Sequence, residues 1–205
     1  MPPKNRVLYI FTNLTKACKY PQYIIKNSID FKEKVQNISI PKNSIMASLD
    51  IVALYPSVPY ELVKEIIKKR WKDIHKHTKM NLTEFLKGLE VLMNSLYFQF
   101  NELFYQQIDG MPIGLSVSPI LADIVLQDLE SDYLLRYKKS ISFYVRYVDD
   151  TFLVISKNKL KMLVNLLNKY HIRLKFTHEV EINNELSFLD ILVKKQTNGT
   201  VKLDL

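Results

Sequence analysis

Cysteine occurs once in the 205 residues, at Cys18. No internal disulfide can form, so a small domain stapled by disulfides is excluded, and a reducing, intracellular setting is expected. Long hydrophobic runs are missing as well. The longest near the N-terminus, Val7 to Phe11, is too short for a signal-peptide core or a membrane span. The expectation is therefore a protein that is not secreted, touches no membrane, and works in the nucleus or cytoplasm. Glycine is scarce: there are four, and two of them, Gly110 and Gly114, fall within five residues. Such a concentration marks a place where backbone approaches something closely or takes positive φ. Internal repeats and low-complexity linkers are also missing.

What is present is positive charge and apolar residues enough for a core. Twenty-nine Lys and Arg against 21 Asp and Glu leave a net charge of +8, spread along the chain rather than held in one tail. A positive folded surface suits a partner with a phosphate backbone, although charge alone fits a merely basic protein equally well. The length suits one substantial folded unit.

The organising stretch runs from Ser142 to Ser156. Phe143-Tyr144-Val145-Arg146-Tyr147-Val148 and Thr151-Phe152-Leu153-Val154-Ile155 flank the acidic pair Asp149-Asp150. Aromatic and β-branched runs on either side of two acids predict a β-hairpin with both carboxylates at its turn. Adjacent aspartates repel, so a buried sheet that carries them needs a compensating positive charge, and a divalent cation is the simplest. The competing reading is that Asp simply favours turns. A second acid, Asp50, ends the apolar strand Ile45 to Leu49, where it is either a ligand or a solvated strand end.

The rest of the chain supplies context. Residues 1 to about 22 fit no single element, and Tyr23 to Val35 reads as a short helix and turn. Pro56 and Pro59 forbid a regular ladder after Asp50. Leu62, Val63, Ile66, Ile67, Trp71 and Ile74 predict a helix, with Lys64, Lys68, Lys69 and Lys72 on other faces. Asn81 to Glu84 reads as a capping box opening a helix with apolar positions from Phe85 to Leu96. Tyr97 to Gln106 predicts a hairpin. Ser118-Pro119 predicts a helix start, with Ser118 as N-cap, continuing through Ile120, Leu121, Ile124, Val125 and Leu129. Leu160 to Tyr170 is a further helix. Ile172 to Ile182 and Leu186 to Val193 read as strands around an Asn183-Asn184 turn, and Asn198-Gly199 is a hairpin signal near the end. The sum is an α+β sheet with helices packed on one face.

In such a sheet Asp50 can lie beside the hairpin, so that Asp50, Asp149 and Asp150 converge. Hard oxygen ligands suit Mg²⁺, which keeps waters and recruits substrate phosphates. Two such ions about 4 Å apart would activate an attacking hydroxyl and stabilise leaving pyrophosphate.

Four segments in this order resemble the motifs of a reverse transcriptase palm: Ser48-Leu49-Asp50-Ile51-Val52-Ala53-Leu54-Tyr55, Gly110-Met111-Pro112-Ile113-Gly114 through Ser118-Pro119, Tyr147-Val148-Asp149-Asp150, and Leu186-Ser187-Phe188-Leu189-Asp190. The chain resembles in particular the reverse transcriptases of Penelope-like retroelements, also in Ile25 to Phe31 and in Phe176-Thr177-His178-Glu179. The resemblance runs from about residue 23 to about 195. It implies a ferredoxin-like antiparallel palm at 45–205, ending before the thumb, with a partial fingers segment at 1–44. It implies an RNA-directed DNA polymerase that takes an RNA template, a DNA primer and dNTPs, with Mg²⁺ or Mn²⁺ held by Asp50, Asp149 and Asp150 and a further ligand in the Ile51 carbonyl. Tyr55 would be the steric gate against a 2′-hydroxyl. Gly110, Pro112 and Gly114 would line the nucleotide and template pocket. Phe188, Leu189 and Asp190 would hold the primer, and Arg146 and the lysines would meet phosphates.

Departures from the family pattern are Ile113, where Gln or Met is frequent, and the want of a clear triphosphate-binding cation, for which Arg6 and Lys16 are guesses. Lys169 and Lys175 compete as proton donor to pyrophosphate. Further fingers, thumb and endonuclease regions would belong to the parent element. The alternatives are an inactive nucleic-acid-binding remnant, an RNA-copying RNA polymerase, against which Tyr55 argues, and a telomerase-like relative with the same palm chemistry.

Overall fold

The computed structural model describes residues 3–18, 21–95, 97–112 and 114–204. In chain order the elements are α1 (Pro3–Ala17), α2 (Ser28–Val35), β1 (Ser44–Ile51), α3 (Leu54–Ser57), α4 (Tyr60–Lys69), α5 (Trp71–Ile74), a 3₁₀ turn (His75–His77) and α6 (Leu82–Met93). They continue with β2 (Tyr97–Phe100), β3 (Leu103–Gln106), α7 (Ser118–Tyr137), β4 (Ile141–Tyr147), β5 (Asp150–Ser156), α8 (Leu160–Leu167), β6 (Phe176–Val180), β7 (Glu185–Phe188), β8 (Ile191–Lys195) and β9 (Val201–Asp204). The expected α+β class with an antiparallel sheet is what forms. Two compact units share the chain: Met1–Lys19 with Ala53–Asp128, and Tyr20–Val52 with Leu129–Leu205.

In the first unit α1 forms where no element was expected. Its residues include many β-branched and aromatic side chains of modest helix propensity. The helix is held instead by burial at Ile10, Asn13, Leu14 and Cys18, a helical stripe. Burial pushes the Cys18 thiol up to about 11, so it is a packing residue rather than a nucleophile. The expected capping box is made: Asn81 Oδ1 accepts from the Glu84 amide at 2.9 Å, and Glu84 Oε2 accepts from the Asn81 amide at 2.9 Å. Phe85, Leu89 and Ile67 are buried. The β2–β3 hairpin pairs Tyr97 with Gln106 through Phe100 with Leu103. Leu96 and Ile113, both singled out in the sequence, lie outside the described residues.

The second unit is built on one four-stranded antiparallel sheet in the order β4-β5-β1-β6. Met46 pairs with Val154 and Ser48 with Phe152. With side chains alternating between faces, Met46, Phe152, Val154 and Val145 face one core. Phe31 and Val35 of α2 and Leu186, Phe188, Ile191 and Val193 of the β7–β8 hairpin fill that core. Phe31, Phe152 and Phe188 form an aromatic triangle with centroids 4.8–5.6 Å apart.

Three expectations are corrected here. Leu186 to Val193 is not one strand: Phe188 pairs with Ile191 across a two-residue turn, with Leu189 at φ 51°. Burial of Phe188 and Ile191 from both arms favours the hairpin over a straight strand. The strand expected over Ile172 to Ile182 is shorter, because the Asn168 side chain clasps Phe176, accepting from its amide at 2.7 Å and donating to its carbonyl at 3.2 Å. Ser118 is no N-cap: its hydroxyl donates to the Pro112 carbonyl at 2.6 Å.

Candidate active site

The hairpin legible in the sequence forms as expected. Tyr147 pairs with Asp150, and Val148 and Asp149 make the two-residue turn. Val148 sits at φ 55°. Hairpin turns of this length want a left-handed residue, normally Gly or Asn, and a β-branched one there costs on the order of 1–3 kcal/mol. The strain falls on the residue immediately before the acidic pair.

Asp50 reaches the same place through β1. The last pair between β1 and β5 is Leu49 with Thr151, and one residue further on each strand come Asp50 and Asp150. On the other side Asp50 pairs with Thr177 of β6. Asp50 is exposed, whereas Asp149 and Asp150 are half-buried. Burial first, then the charges of Asp149 and Asp50, raise the Asp150 carboxyl above the usual carboxylate range. The three acids are therefore one electrostatic neighbourhood, all within the second unit.

The donor set fits a hard divalent cation: three carboxylates at one end of a sheet repel one another, and a cation would relieve that repulsion. The ligand set is nonetheless not drawn up. Among the described residues, no group of three His, Cys, Asp or Glu side chains stands in metal-ligating geometry. The acids are close enough to feel one another without sharing one point.

Arg146 is not where a phosphate-binding residue belongs. It is 3% exposed and ion-paired with Glu130, whose side chain is 2% exposed. Arg146 and Tyr144 alternate with Val145 on β4, so they face away from the aromatic core and meet α7. Arg146 Nε and Nη2 donate to Glu130 Oε1 and Oε2, the latter at 3.2 Å. Tyr144 donates to Oε1 at 2.8 Å and Tyr23 to Oε2 at 2.9 Å. The third arm of the guanidinium, Nη1, donates to the Val148 carbonyl at 2.7 Å. Burial beside Glu130 raises the Tyr144 phenol well above its ordinary value, which keeps it a donor. Sequence reasoning missed Glu130. Its signal was an acid in a helix whose apolar residues occupy nearly every face, leaving it nowhere to point but inward.

The first unit holds the other expected residues. Tyr55 lies half-buried in α3, after Ala53 at φ 49°. Its carbonyl accepts from the Met111 amide at 2.8 Å. Gly110, at φ 77°, packs so closely on this turn that a Cβ would stand 2.6 Å from the Pro56 carbonyl oxygen. Gly110→Ala therefore combines strained φ with a backbone clash and should cost about 3 kcal/mol, read by urea denaturation. Pro112 is buried, and Gly114, at φ 93°, is exposed with open space around it. In the second unit Phe188 is buried, while Leu189 and Asp190 form the turn, half-buried and exposed.

The fold is of the polymerase-palm class, with Asp50 and Asp150 at adjoining ends of β1 and β5 and Asp149 in the turn that joins β4 to β5. Solved structures agree. The chain is similar to telomerase from Candida albicans in complex with a TWJ fragment of telomeric RNA, at TM-score 0.71 and 15% identity, covering 98% of this chain and 38% of that one. It is also similar to apo telomerase from Candida tropicalis truncated from its C-terminal domain, at TM-score 0.67 and 16% identity, covering 99% and 45%. The BmCPV RNA-dependent RNA polymerase at elongation state gives TM-score 0.63 and 16% identity, covering 96% and 20%. The chain thus spans less than half the length of these neighbours, and at such identity they speak to fold alone. No curated protein sequence matches the chain. The family model described as reverse transcriptase (RNA-dependent DNA polymerase) matches residues 5–185, and the chain belongs to that family. Among the described residues no helix is long and apolar enough to cross a membrane.

Proposed function

We propose that the protein is the RNA-directed DNA polymerase of a retroelement of the Penelope-like kind, adding deoxynucleotides from dNTPs to a primer 3′ end on an RNA template. The observation that carries this reading is the placing of Asp50 and Asp150 one residue beyond the Leu49–Thr151 pair, with Asp149 beside them in the turn. Asp50, Asp149 and Asp150 would hold Mg²⁺, with Mn²⁺ as a substitute and the Ile51 carbonyl as a further ligand. Bound there, the metal would lower the pKa of the primer hydroxyl and neutralise the leaving pyrophosphate. Family membership supports the reaction, and neighbours solved with telomeric RNA or as RNA-dependent RNA polymerases support an RNA template.

The chain's own residues supply position. Tyr55 would exclude a 2′-hydroxyl, and Gly110, Pro112 and Gly114 would line the nucleotide and template pocket. Phe188, fixed in the core, would set the turn on which Leu189 and Asp190 meet the primer. Residues 45–205 would be the palm and 1–44 part of the fingers. With its ring gone, Tyr55→Ala should admit ribonucleotides, raising the ratio of rNTP to dNTP incorporation at least tenfold in single-nucleotide assays.

A second reading, a nucleic-acid-binding relative without catalysis, is favoured by the open arrangement of the three carboxylates. Primer extension on an RNA template with dNTPs and Mg²⁺ separates the two. Extension that stops with EDTA and is lost in the Asp149→Asn, Asp150→Asn variant is expected. Salt-sensitive RNA binding with no extension under Mg²⁺ or Mn²⁺ would leave the second reading in its place.

A further inference from the structure

We propose that Arg146 is a positioning residue for the Asp149–Asp150 turn, acting as a buried clamp between Glu130 of α7 and the Val148 carbonyl. This inference rests on the metal-dependent reading above and adds what holds the carboxylates in place. The Val148 carbonyl belongs to the peptide that joins Val148 to Asp149. Fixing that peptide plane fixes the direction from which the Asp149 side chain leaves the backbone. The turn needs fixing, because Val148 at φ 55° does not hold that conformation by its own preference.

The clamp is itself over-determined. Glu130 receives Arg146 through two nitrogens and also the hydroxyls of Tyr23 and Tyr144. The backbone of Arg146 is tied from the other side: its amide donates to the Tyr23 carbonyl and its carbonyl accepts from the Ile25 amide, each at 2.9 Å. A guanidinium has enough donors in one plane to bond Glu130 twice and the carbonyl once; an ammonium is one point and cannot span both. Arginine in particular is therefore required, and the requirement concerns the turn rather than the charge.

Arg146→Lys is the decisive variant, since it keeps a positive charge beside Glu130 and removes the fork. Two readouts are taken on the whole chain without nucleic acid: Mn²⁺ affinity by electron paramagnetic resonance, and amide hydrogen exchange over residues 147–151. Arg146→Lys should exchange at least tenfold faster at the paired Asp150 amide, more than at amides elsewhere in the sheet, and bind Mn²⁺ at least fivefold more weakly. Asp149→Asn is the reference for loss of the ion. Should Arg146→Lys fail to fold, Tyr23→Phe, which removes one hydrogen bond from Glu130, should give the same changes at about twofold. Unchanged exchange and Mn²⁺ affinity in the variant that folds would overturn the clamp. Absence of Mn²⁺ binding in the parent chain would overturn the metal reading instead, and the exchange rates would still decide for or against the clamp.

Discussion

Asp150→Asn should abolish nucleotide addition and at the same time make the protein slightly more stable. On the proposed reaction the loss is large, because this carboxylate would hold the divalent cation whose charge stabilises the transition state. Removing about 4 kcal/mol of that stabilisation lowers the rate roughly a thousandfold. The gain arises because burial first, and then the charges of Asp149 and Asp50, raise the Asp150 carboxyl above the usual range. An amide of the same shape relieves that repulsion. Solvent screening at a partly exposed site keeps the gain to about 0.5 kcal/mol, or about 1–2 °C in Tm. Added Mg²⁺ should raise the Tm of the parent chain and leave that of the variant unmoved. A variant that is inactive and less stable would mean that Asp150 serves the fold.

Glu130→Ala should have the largest effect on stability of any single change in the second unit. It leaves the Arg146 guanidinium buried without its counter-charge and takes an acceptor from two tyrosine hydroxyls. Breaking one side of a buried ion pair costs about 3–5 kcal/mol. In a chain of this size that lowers Tm by roughly 10 °C. Removing both charges, in Glu130→Met with Arg146→Met, should recover most of the loss, since well-packed apolar residues replace buried pairs at little cost. Recovery of stability without recovery of nucleotide addition would separate the pair's contribution to folding from its contribution to the turn. A loss below 1 kcal/mol in Glu130→Ala would contradict the buried network.

What could be read from the sequence follows the range of the forces involved. The hairpin around Asp149 and Asp150 is legible because its strands alternate locally and its turn lies between them, and its partner β1 because an apolar run stops at an acid. The capping box of α6 is equally local, made by residues three apart. Helix α1 was not legible, because its residues have modest propensity and its stability comes from burying Ile10 and Leu14 against distant parts of its unit. The break at Leu189-Asp190 was hidden for a similar reason: an apolar run is compatible with one strand or two, and the choice is made by the core formed by Phe31 and Phe152. Arg146 shows the limit most plainly. Its place on β4 fixes which face it occupies, but a basic residue in a polymerase-like motif reads as a phosphate contact until the packing of the preceding helix, α7, against the sheet brings Glu130 beneath it.

On the proposed function Asp50 and the Asp149–Asp150 pair, 99 residues apart in sequence, together hold the divalent metal. Replacing Mg²⁺ by Fe²⁺ and adding peroxide with a reductant generates hydroxyl radicals at the metal, which cut the nearby backbone. The account predicts cuts around residue 50 and around residues 149 and 150 together, suppressed by excess Mg²⁺ and lost in the Asp149→Asn, Asp150→Asn variant. Cuts elsewhere, or cuts indifferent to Mg²⁺ and to the substitutions, would contradict it.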